Sequence, residues 1–140
     1  SLQTVCRMFK GLPMKEVVCG VIMDGRGRIL ACRRGLGRHL GGLWEFPGGK
    51  VDGAESHEVA LARELAEELG IVVLVGERVG PVVEWTDGKV SIRLRAFRCG
   101  ILIGEAKALE HEQILWCDAG ELAGLNWAEA DLPIVAVLSR

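Results

Sequence analysis

Residues 49–71 read GKVDGAESHEVALARELAEELGI and contain the clearest periodic pattern in the sequence. Ser56 suits the N-cap of a helix, and Gly70 followed by Ile71 suits a C-terminal stop with a hydrophobic contact beyond it. The apolar residues between these ends recur at intervals of three and four, which places them on one side of a helix. They are Val59, Ala62, Leu65, Ala66 and Leu69. The pattern predicts an amphipathic helix over residues 56–69.

The opposite side of this helix carries a row of carboxylates at Glu64, Glu67 and Glu68. Each residue advances a helix by about 100°, so positions spaced by three and four share a narrow face. Like charges at these spacings repel by about 0.2–0.5 kcal/mol per pair, and only Glu67 has a basic residue, Arg63, one turn away. A solvated charged face is one interpretation of the row. A cation site is the other, because a bound divalent ion turns the repulsion into attraction.

The segment before the helix, residues 35–53, carries seven glycines and one proline and is predicted to be a loop that positions functional groups. Arg33, Arg34, Arg38 and Lys50 flank it and could supply contacts to phosphate. Mg²⁺ takes oxygen ligands and usually shares substrate phosphates. Carboxylates, loop carbonyls and these basic side chains together suit metal-assisted attack of water on a phosphoanhydride.

Short apolar runs rich in β-branched residues surround the helix and predict strands. They cover residues 16–23, 28–33, 71–75, 80–85, 89–99 and 113–117. A short helical turn is predicted at 119–122 and a closing helix at 132–138, where Asp131 and Pro133 suit the first turn. Strands on both sides of one strong helix indicate an α/β domain with a mixed sheet.

The chain of 140 residues is long enough for one domain with a substantial core and too short for two ordinary ones. We expect a single domain over 1–140, with residues 1–14 as a loosely ordered N-terminal extension. Lys plus Arg total 17 against 19 for Asp plus Glu, and the net charge of -2 disfavours a nucleic-acid polymer as partner. No apolar stretch reaches the roughly 18–20 residues that cross a bilayer, and the start lacks the pattern of a signal peptide. We expect a cytoplasmic protein with no membrane partner.

Segment 49–71 resembles the Nudix box, G-x5-E-x7-R-E-U-x-E-E-x-G-U, in which U is an aliphatic residue. Every fixed position is matched, by Gly49, Glu55, Arg63, Glu64, Leu65, Glu67, Glu68, Gly70 and Ile71. The preceding LWEFPGG (43–49) and the tail WCDAGEL…ADLPI (116–134) are similar to the MutT-type branch, above all to its CTP pyrophosphohydrolases and 8-oxo-dGTP diphosphatases. The likeness spans roughly residues 16–138.

The resemblance implies a Nudix α/β/α sandwich, with a mixed β-sheet between helices, and a site for Mg²⁺ or Mn²⁺. The implied metal ligands are Glu64, Glu67, Glu68 and the carbonyl of Gly48 or Gly49. Arg63 would orient these glutamates by a salt bridge inside the box. Glu110, or alternatively Glu112, corresponds to a further carboxylate that takes part in metal binding or acts as a general base. Arg34 corresponds to a residue that contacts the nucleotide phosphates, whereas Glu55 has no firm role beyond a structural hydrogen bond to the loop.

The family reaction is attack of water at an internal phosphorus of a nucleoside triphosphate, which gives the monophosphate and pyrophosphate. The implied substrates are CTP-like or dCTP-like pyrimidine nucleotides, or oxidised nucleotides such as 8-oxo-dGTP. Hydrolysis of a nucleoside diphosphate linked to another group, such as ADP-ribose or a dinucleotide, is the alternative within the family. A non-catalytic nucleotide sensor is the alternative outside it, although a sensor has little reason to keep Arg63 and all three glutamates. A monomer and a homodimer both remain open.

Base recognition is expected at Asp131, because the 8-oxo-dGTP-specific MutT enzymes carry Asn two residues before the proline of the closing helix. An ionised aspartate only accepts hydrogen bonds, so Asp131 is expected to favour a base edge that presents amino or N–H groups. Both cytosine and the oxidised purine qualify. Capping of the closing helix is the alternative role for this side chain.

Trp127 is the aromatic residue nearest to that helix in sequence, and it is the candidate for stacking on the base. Three other aromatic residues compete for this role, namely Phe46, Trp85 and Phe97. The histidines His39, His57 and His111 are expected at the surface. The five cysteines include no C-x-x-C pair, so neither a disulfide framework nor a structural zinc is predicted.

Overall fold

A computed structural model describes residues 13–140 and contains one mixed sheet with helices packed on it. The strands are β1 (Met14–Met23), β2 (Ile29–Arg33), β3 (Trp44–Glu45), β4 (Gly48–Lys50), β5 (Val72–Thr86), β6 (Ser91–Ile103) and β7 (Gln113–Cys117). The helices are α1 (His57–Leu69), α2 (Ala119–Leu122) and α3 (Leu132–Leu138), and a 3₁₀ turn at Glu129–Asp131 precedes α3. No helix in this part of the chain is long and apolar enough to cross a membrane.

The expected N-terminal extension over 1–14 falls almost entirely outside the described residues. Residues 1–12 are not among them, and Met14 already begins β1.

The sheet is mixed because its two central strands run parallel while the others pair antiparallel. Its order is β3-β2-β1-β6-β5, with β4 paired to β1 and β7 paired to β2. β1 and β6 are in parallel register from Met14↔Ser91 to Met23↔Gly100. Short β4 lies beside the first half of β1, where Val18 faces Gly49. This pairing places the glycine-rich strand at the centre of the sheet.

Alternation along β1 sends its side chains into two cores, one on each face of the sheet. Val18 and Ile22 pack with the apolar side of α1, and Cys19 and Val21 pack with α3 through Ile134. Helices therefore cover both faces. The predicted α/β/α sandwich with a mixed sheet is confirmed.

Helix α1 begins and ends within a residue of its predicted bounds. The Ser56 hydroxyl accepts a hydrogen bond from the backbone N–H of Val59 at 3.1 Å, which is the expected N-cap. Gly70 has φ 70°, a left-handed conformation, and donates its N–H to the Ala66 carbonyl. Leu61, Leu65 and Leu69 are fully buried, so burial of one apolar side holds the helix against the sheet.

Two predictions about the strands were wrong in detail. Segment 35–53 is not an uninterrupted loop, because it contains β3 and β4, which pair with β2 and β1. The runs at 71–75 and 80–85 form the single strand β5, whose register shifts at β-bulges between Val75 and Arg78 and between Val79 and Val83. The later elements match their predictions at 113–117, 119–122 and 132–138, while β6 extends beyond the predicted Cys99 to Ile103.

Four thiols lie inside the two cores, at Cys19, Cys32, Cys99 and Cys117, and all four are free. Burial raises the pKa of each of these thiols, that of Cys99 to about 12. They are packing residues, which agrees with their positions in apolar runs of the sequence. Cys6 lies outside the described residues.

Candidate active site

A cavity of about 620 Å³ is lined by β1, β4, α1 and the segments around them. Most of its charged and apolar lining falls into three groups, which we name by their chemistry, and Glu45 and Asp52 line it as further carboxylates. The acidic group is Glu64, Glu68 and Glu110, with Gly48 and Gly49 beside it; the basic group is Lys15, Arg34, Arg38 and Lys50; the base-side group is Phe46, Trp85, Ile92, Leu94, Ala130 and Asp131. One cavity therefore collects carboxylates, cations and apolar surface.

The two glycines of β4 leave the space that the acidic group needs. A Cβ atom on Gly49 would lie within 2.7 Å of the carboxyl carbon and both carboxyl oxygens of Glu64. A Cβ atom on Gly48 would clash with the carbonyl of Val18 on the neighbouring strand. Any side chain at these positions would push β4 away from β1 or displace the Glu64 carboxylate. Glycine is required here by close approach rather than by flexibility.

Glu68 is the most unusual carboxylate of the site because it is buried, with 6% of its surface exposed, and its Oε2 has no hydrogen-bond partner. The pKa of Glu68 is raised to about 9, mainly by burial and also by the charges of Glu45, Glu64 and Glu110, while a hydrogen bond from Gly48 acts in the opposite direction. An ionised carboxylate in such a place is costly unless a cation compensates it. These residues therefore fit a divalent cation.

The remaining glutamates of the row differ in their surroundings. Burial raises the pKa of Glu64, whereas the hydrogen bond and charge of Arg63 lower it. The charges of Glu67 and Glu110 also raise it. Glu67 is half exposed, lies 3.5 Å from Arg63 and does not line the cavity. The helical face predicted from the sequence thus brings Glu64 and Glu68 into the cavity beside Glu110 and leaves Glu67 outside its lining.

Arg63 ties the helix to the loop before it. Its Nε and Nη2 atoms donate to the two oxygens of Glu55 at 2.8 and 2.9 Å, and Nη1 donates to Glu64 at 3.0 Å. Nη2 also donates to the carbonyl of Lys50. Glu55 accepts a further bond from the backbone N–H of Asp52, and the hydrogen bonds from Arg63 lower the pKa of Glu55 to about 2. Glu55 therefore has a structural role, which is to hold Arg63 against Glu64.

The basic group includes one residue that sequence reasoning missed. Lys15, at the start of β1, lies beside Lys50, and a hydrogen bond and charge repulsion from Lys50 lower the pKa of Lys15. Arg34 donates from Nε to the His39 carbonyl and from Nη1 to Glu45, both at 2.8 Å. Neighbouring cations favour a multiply charged anion between them. No motif marks Lys15, because only the pairing of β1 with β4 brings it next to Lys50.

Asp131 does not cap α3, so that alternative was wrong. Its side chain makes no capping bond, and its Oδ2 instead accepts the backbone N–H of Phe46 at 2.8 Å. Burial raises the pKa of Asp131 to about 8, and the charge of Glu45 acts in the same direction. This shift favours the protonated form of the side chain near neutral pH, in contrast to the expected ionised, acceptor-only group.

Trp127 lies in the core rather than on the cavity wall, in contrast to its expected stacking role. Its indole N–H donates to the Leu122 carbonyl at 2.7 Å, and its ring packs on Phe46 with centroids 4.6 Å apart. Phe46 and Trp85 are the aromatic residues that line the cavity, while Phe97 packs in the core under α1. Anchoring of the indole N–H to a buried carbonyl explains why Trp127 faces inward.

His111 is buried, so its expected surface position was wrong. Its Nε2 lies 2.9 Å from Glu45 Oε2, and its Nδ1 is buried without a partner. No sequence pattern distinguishes it, because its neighbours Glu110 and Glu112 are exposed. His39 is exposed, as predicted.

The site combines three features: two glutamates of α1 that face the cavity, Arg63 held by Glu55, and the glycine-containing strand β4. On an α/β sandwich these features define a Nudix domain. The family model described as the NUDIX domain matches residues 13–138, and the chain belongs to that family. It is a Nudix hydrolase of MutT type, as its relatives and structural neighbours show.

Two of these relatives cover nearly the whole chain. A Mycobacterium tuberculosis protein with the provisional name 8-oxo-dGTP diphosphatase 2 is 42% identical over 127 residues, which cover 89% of this chain and 87% of the relative. The CTP pyrophosphohydrolase of Escherichia coli is 40% identical over 124 residues, which cover 89% and 90%. Among solved structures, the MutT protein from Methanosarcina mazei Go1 superposes with a TM-score of 0.82 at 26% identity, over 93% of this chain and 96% of that one.

Proposed function

We propose that this chain is a divalent-metal-dependent nucleoside triphosphate pyrophosphohydrolase. It hydrolyses CTP-like or dCTP-like pyrimidine nucleotides, or oxidised nucleotides such as 8-oxo-dGTP, to the monophosphate and pyrophosphate. One observation carries the proposal: the buried Glu68 carboxylate with an unpartnered oxygen opens into the same cavity as four basic side chains. The relatives named as CTP pyrophosphohydrolase and 8-oxo-dGTP diphosphatase support the same substrate class.

The basic group is suited to a chain of phosphates. Arg34 is already oriented by the carboxylate of Glu45 and the carbonyl of His39, so little rotamer entropy is lost when it binds an anion. Lys15 and Lys50 present a second pair of donors on the adjacent strands. With a net charge of -2 the protein attracts polyphosphate through these placed cations rather than through its overall field.

Glu64, Glu67, Glu68 and Glu110, with a carbonyl of Gly48 or Gly49, would hold Mg²⁺ or Mn²⁺. Such an ion neutralises phosphate charge and lowers the pKa of a bound water. Arg63 keeps the Glu64 carboxylate against β4, and Glu55 keeps Arg63 in place. Glu110 lines the cavity from the loop before β7, where it can accept a proton from water.

Neutral Asp131 offers one O–H donor and an acceptor, which matches a base edge with one acceptor beside one donor. Cytosine presents such an edge at N3 and N4, and 8-oxoguanine presents one at O6 and N7–H. Guanine presents an acceptor beside a donor at O6 and N1–H, so the N7–H of 8-oxoguanine is the feature of the oxidised base that guanine lacks. Phe46 and Trp85 supply aromatic surface in the same cavity.

The test is a release assay with Mg²⁺ or EDTA against CTP, dCTP, 5-methyl-dCTP, dGTP, 8-oxo-dGTP and ADP-ribose, with pyrophosphate and orthophosphate measured separately. We expect pyrophosphate as the first product, and a Glu68→Gln variant should lose at least about a hundredfold in kcat, the order of effect of removing a group that stabilises transition-state charge. Glu58→Gln on the same helix is the matched control, because Glu58 is exposed and does not line the cavity. Orthophosphate as the first product, or turnover of ADP-ribose alone, would refute the proposal.

The role of Asp131 has its own arm in that assay. Asp131→Asn keeps a donor group beside an acceptor oxygen, so the substrate ranking at pH 7 should be preserved. The wild-type ranking should change above about pH 8, where Asp131 ionises, whereas that of the variant should not. If the substrate rankings of the wild type and of Asp131→Asn change with pH in the same way, Asp131 takes no part in base recognition.

A further inference from the structure

His111 sits in a rigidly held segment between β6 and β7. Its neighbours Glu110 and Glu112 are exposed, yet only 2% of the His111 side chain is accessible. The backbone is fixed on both sides of it, because Leu109 donates its N–H to the Glu68 carbonyl and Glu112 donates its N–H to the Arg33 carbonyl. The imidazole is therefore held at one place between α1 and β2.

That place is between the buried carboxylate of Glu68 and the partly buried carboxylate of Glu45. His111 Nε2 lies 2.9 Å from Glu45 Oε2, which is a hydrogen bond, and 3.8 Å from Glu68 Oε1, which is not. The other oxygen of Glu45 accepts a bond from Arg34 Nη1 at 2.8 Å. Burial opposes ionisation of Glu45, but the bonds from His111 and Arg34 hold the pKa of this carboxyl below its ordinary value. Both oxygens of Glu45 are thus engaged, and Oε2 of Glu68 is left without a partner.

We propose that His111 is a positioning residue: Glu45 and Glu68 have carboxylate oxygens within 4.8 Å of each other, and the bond from His111, with that from Arg34, fixes Glu45 so that the Glu68 carboxylate stays available to a divalent ion. The inference rests on the proposed function, because Glu68 needs to stay available only if it binds an ion. It assigns no contact between His111 and substrate. Through Glu45 the same imidazole also supports Arg34, so one buried side chain connects the acidic and basic groups of the cavity.

The experiment compares two variants of the full chain. His111→Leu fills similar volume without a donor, and His111→Gln places an amide N–H near the position of Nε2. Binding of Mn²⁺ is followed by the loss of its free-ion EPR signal, and kcat and KM are measured with the best nucleotide of the panel. Loss of a direct outer partner of a metal ligand costs about 10–100-fold in metal affinity or activity, and His111 acts on Glu68 through Glu45, so the lower end of that range applies. We expect His111→Leu to weaken Mn²⁺ binding and lower kcat by about tenfold or more, with a smaller change in KM, and His111→Gln to restore both to within about threefold.

His57→Leu is the matched control, since it removes another imidazole of the described chain that packs near Phe97 and does not line the cavity. It should leave Mn²⁺ binding and kcat unchanged. If the wild type binds Mn²⁺ and turns over substrate, and His111→Leu does both equally well, the inference is overturned while the proposed function stands. Equal impairment of folded His111→Leu and His111→Gln would also overturn it, because the donor would then not matter.

Two further cases are covered: a His111→Leu variant that does not fold, and a wild-type chain that binds no Mn²⁺. If His111→Leu does not fold, His111→Asn replaces it, because its shorter amide cannot reach Glu45 as Gln does; equal Mn²⁺ binding by the Asn and Gln variants would overturn the inference. A wild-type chain that binds no Mn²⁺ would instead overturn the proposed function, and the inference with it.

Discussion

Replacement of Glu68 by Gln should stabilise the metal-free protein while it abolishes activity. Glu68 is buried, one of its oxygens has no partner, and the pKa of its carboxyl is raised to about 9 from an ordinary 4.5. At pH 7 the native protein therefore keeps a proton that the unfolded chain releases. Gln carries no ionisable group, so Glu68→Gln removes this difference between the two states.

The size of the effect follows from the two pKa values. Between pH 4.5 and 9 the native state binds more protons than the unfolded state, so the unfolding free energy of the wild type falls as pH rises. The slope is about 1.4 kcal/mol per pH unit for one proton, which gives about 3 kcal/mol at pH 7. In a domain of this size, that corresponds to roughly 6–12 °C in Tm. Asp131 acts in the same direction, but it is present in both proteins and cancels in the comparison.

Thermal and urea unfolding of wild type and Glu68→Gln should be measured in EDTA at several pH values from 4.5 to 7. We expect the difference in unfolding free energy to approach zero near pH 4.5 and to grow toward neutrality. Glu67→Gln is the control, because Glu67 is half exposed and should change stability by less than about 0.5 kcal/mol. Added Mg²⁺ should raise the Tm of the wild type more than that of Glu68→Gln, since a ligand of the native state stabilises in proportion to its affinity.

Equal stability of Glu68→Gln and wild type at pH 7 would refute the reasoning, because it would mean that the native carboxylate is ionised at no cost. A gain of the same size at pH 4.5 and pH 7 would refute it in another way. Such a gain would come from packing rather than from the proton.

Two further predictions concern neighbouring residues. Gly49→Ala should lower kcat by about a hundredfold, because its methyl group would overlap the Glu64 carboxylate and misplaced catalytic groups lose rate on this scale. Gly120→Ala is the control: its methyl group would meet open space, so kcat should not change. Trp127→Phe should cost about 0.5–1.5 kcal/mol in urea unfolding, because it removes one of the two hydrogen bonds that the Leu122 carbonyl accepts, the other coming from the Leu125 N–H, yet it should leave the substrate ranking unchanged. A changed ranking would return Trp127 to the binding surface.

The sequence predicted the parts of this fold that local pattern determines. Helix α1 has its cap at Ser56, its stop at Gly70 and its apolar side against the sheet, all of which follow from spacing. Strands β3 and β4 were missed because they have only two and three residues, and β4 contains two glycines. They exist because the edges of β2 and β1 pair with them, and no local propensity reports such pairing.

The site was predicted where residues share one helix and missed where the fold brings distant segments together. Spacing alone placed Glu64 and Glu68 on one face. The Glu45–His111 hydrogen bond joins residues 66 positions apart, and the bond from Phe46 to Asp131 joins residues 85 positions apart. The raised pKa of Asp131 could not be predicted for the same reason, because burial, its largest cause, is a property of the assembled core.

The buried thiols provide a built-in reporter of opening. Cys19, Cys32, Cys99 and Cys117 divide between the two faces of the sheet, and burial keeps each of them protonated near neutral pH. A thiol-reactive dye needs an accessible thiolate, so in a Cys6→Ser protein it can label only molecules that have transiently opened. Mass spectrometry of the labelled chains would then give separate labelling rates for the cysteines on the α1 side and on the α3 side of the sheet. Equal rates would mean that the two cores open in one step.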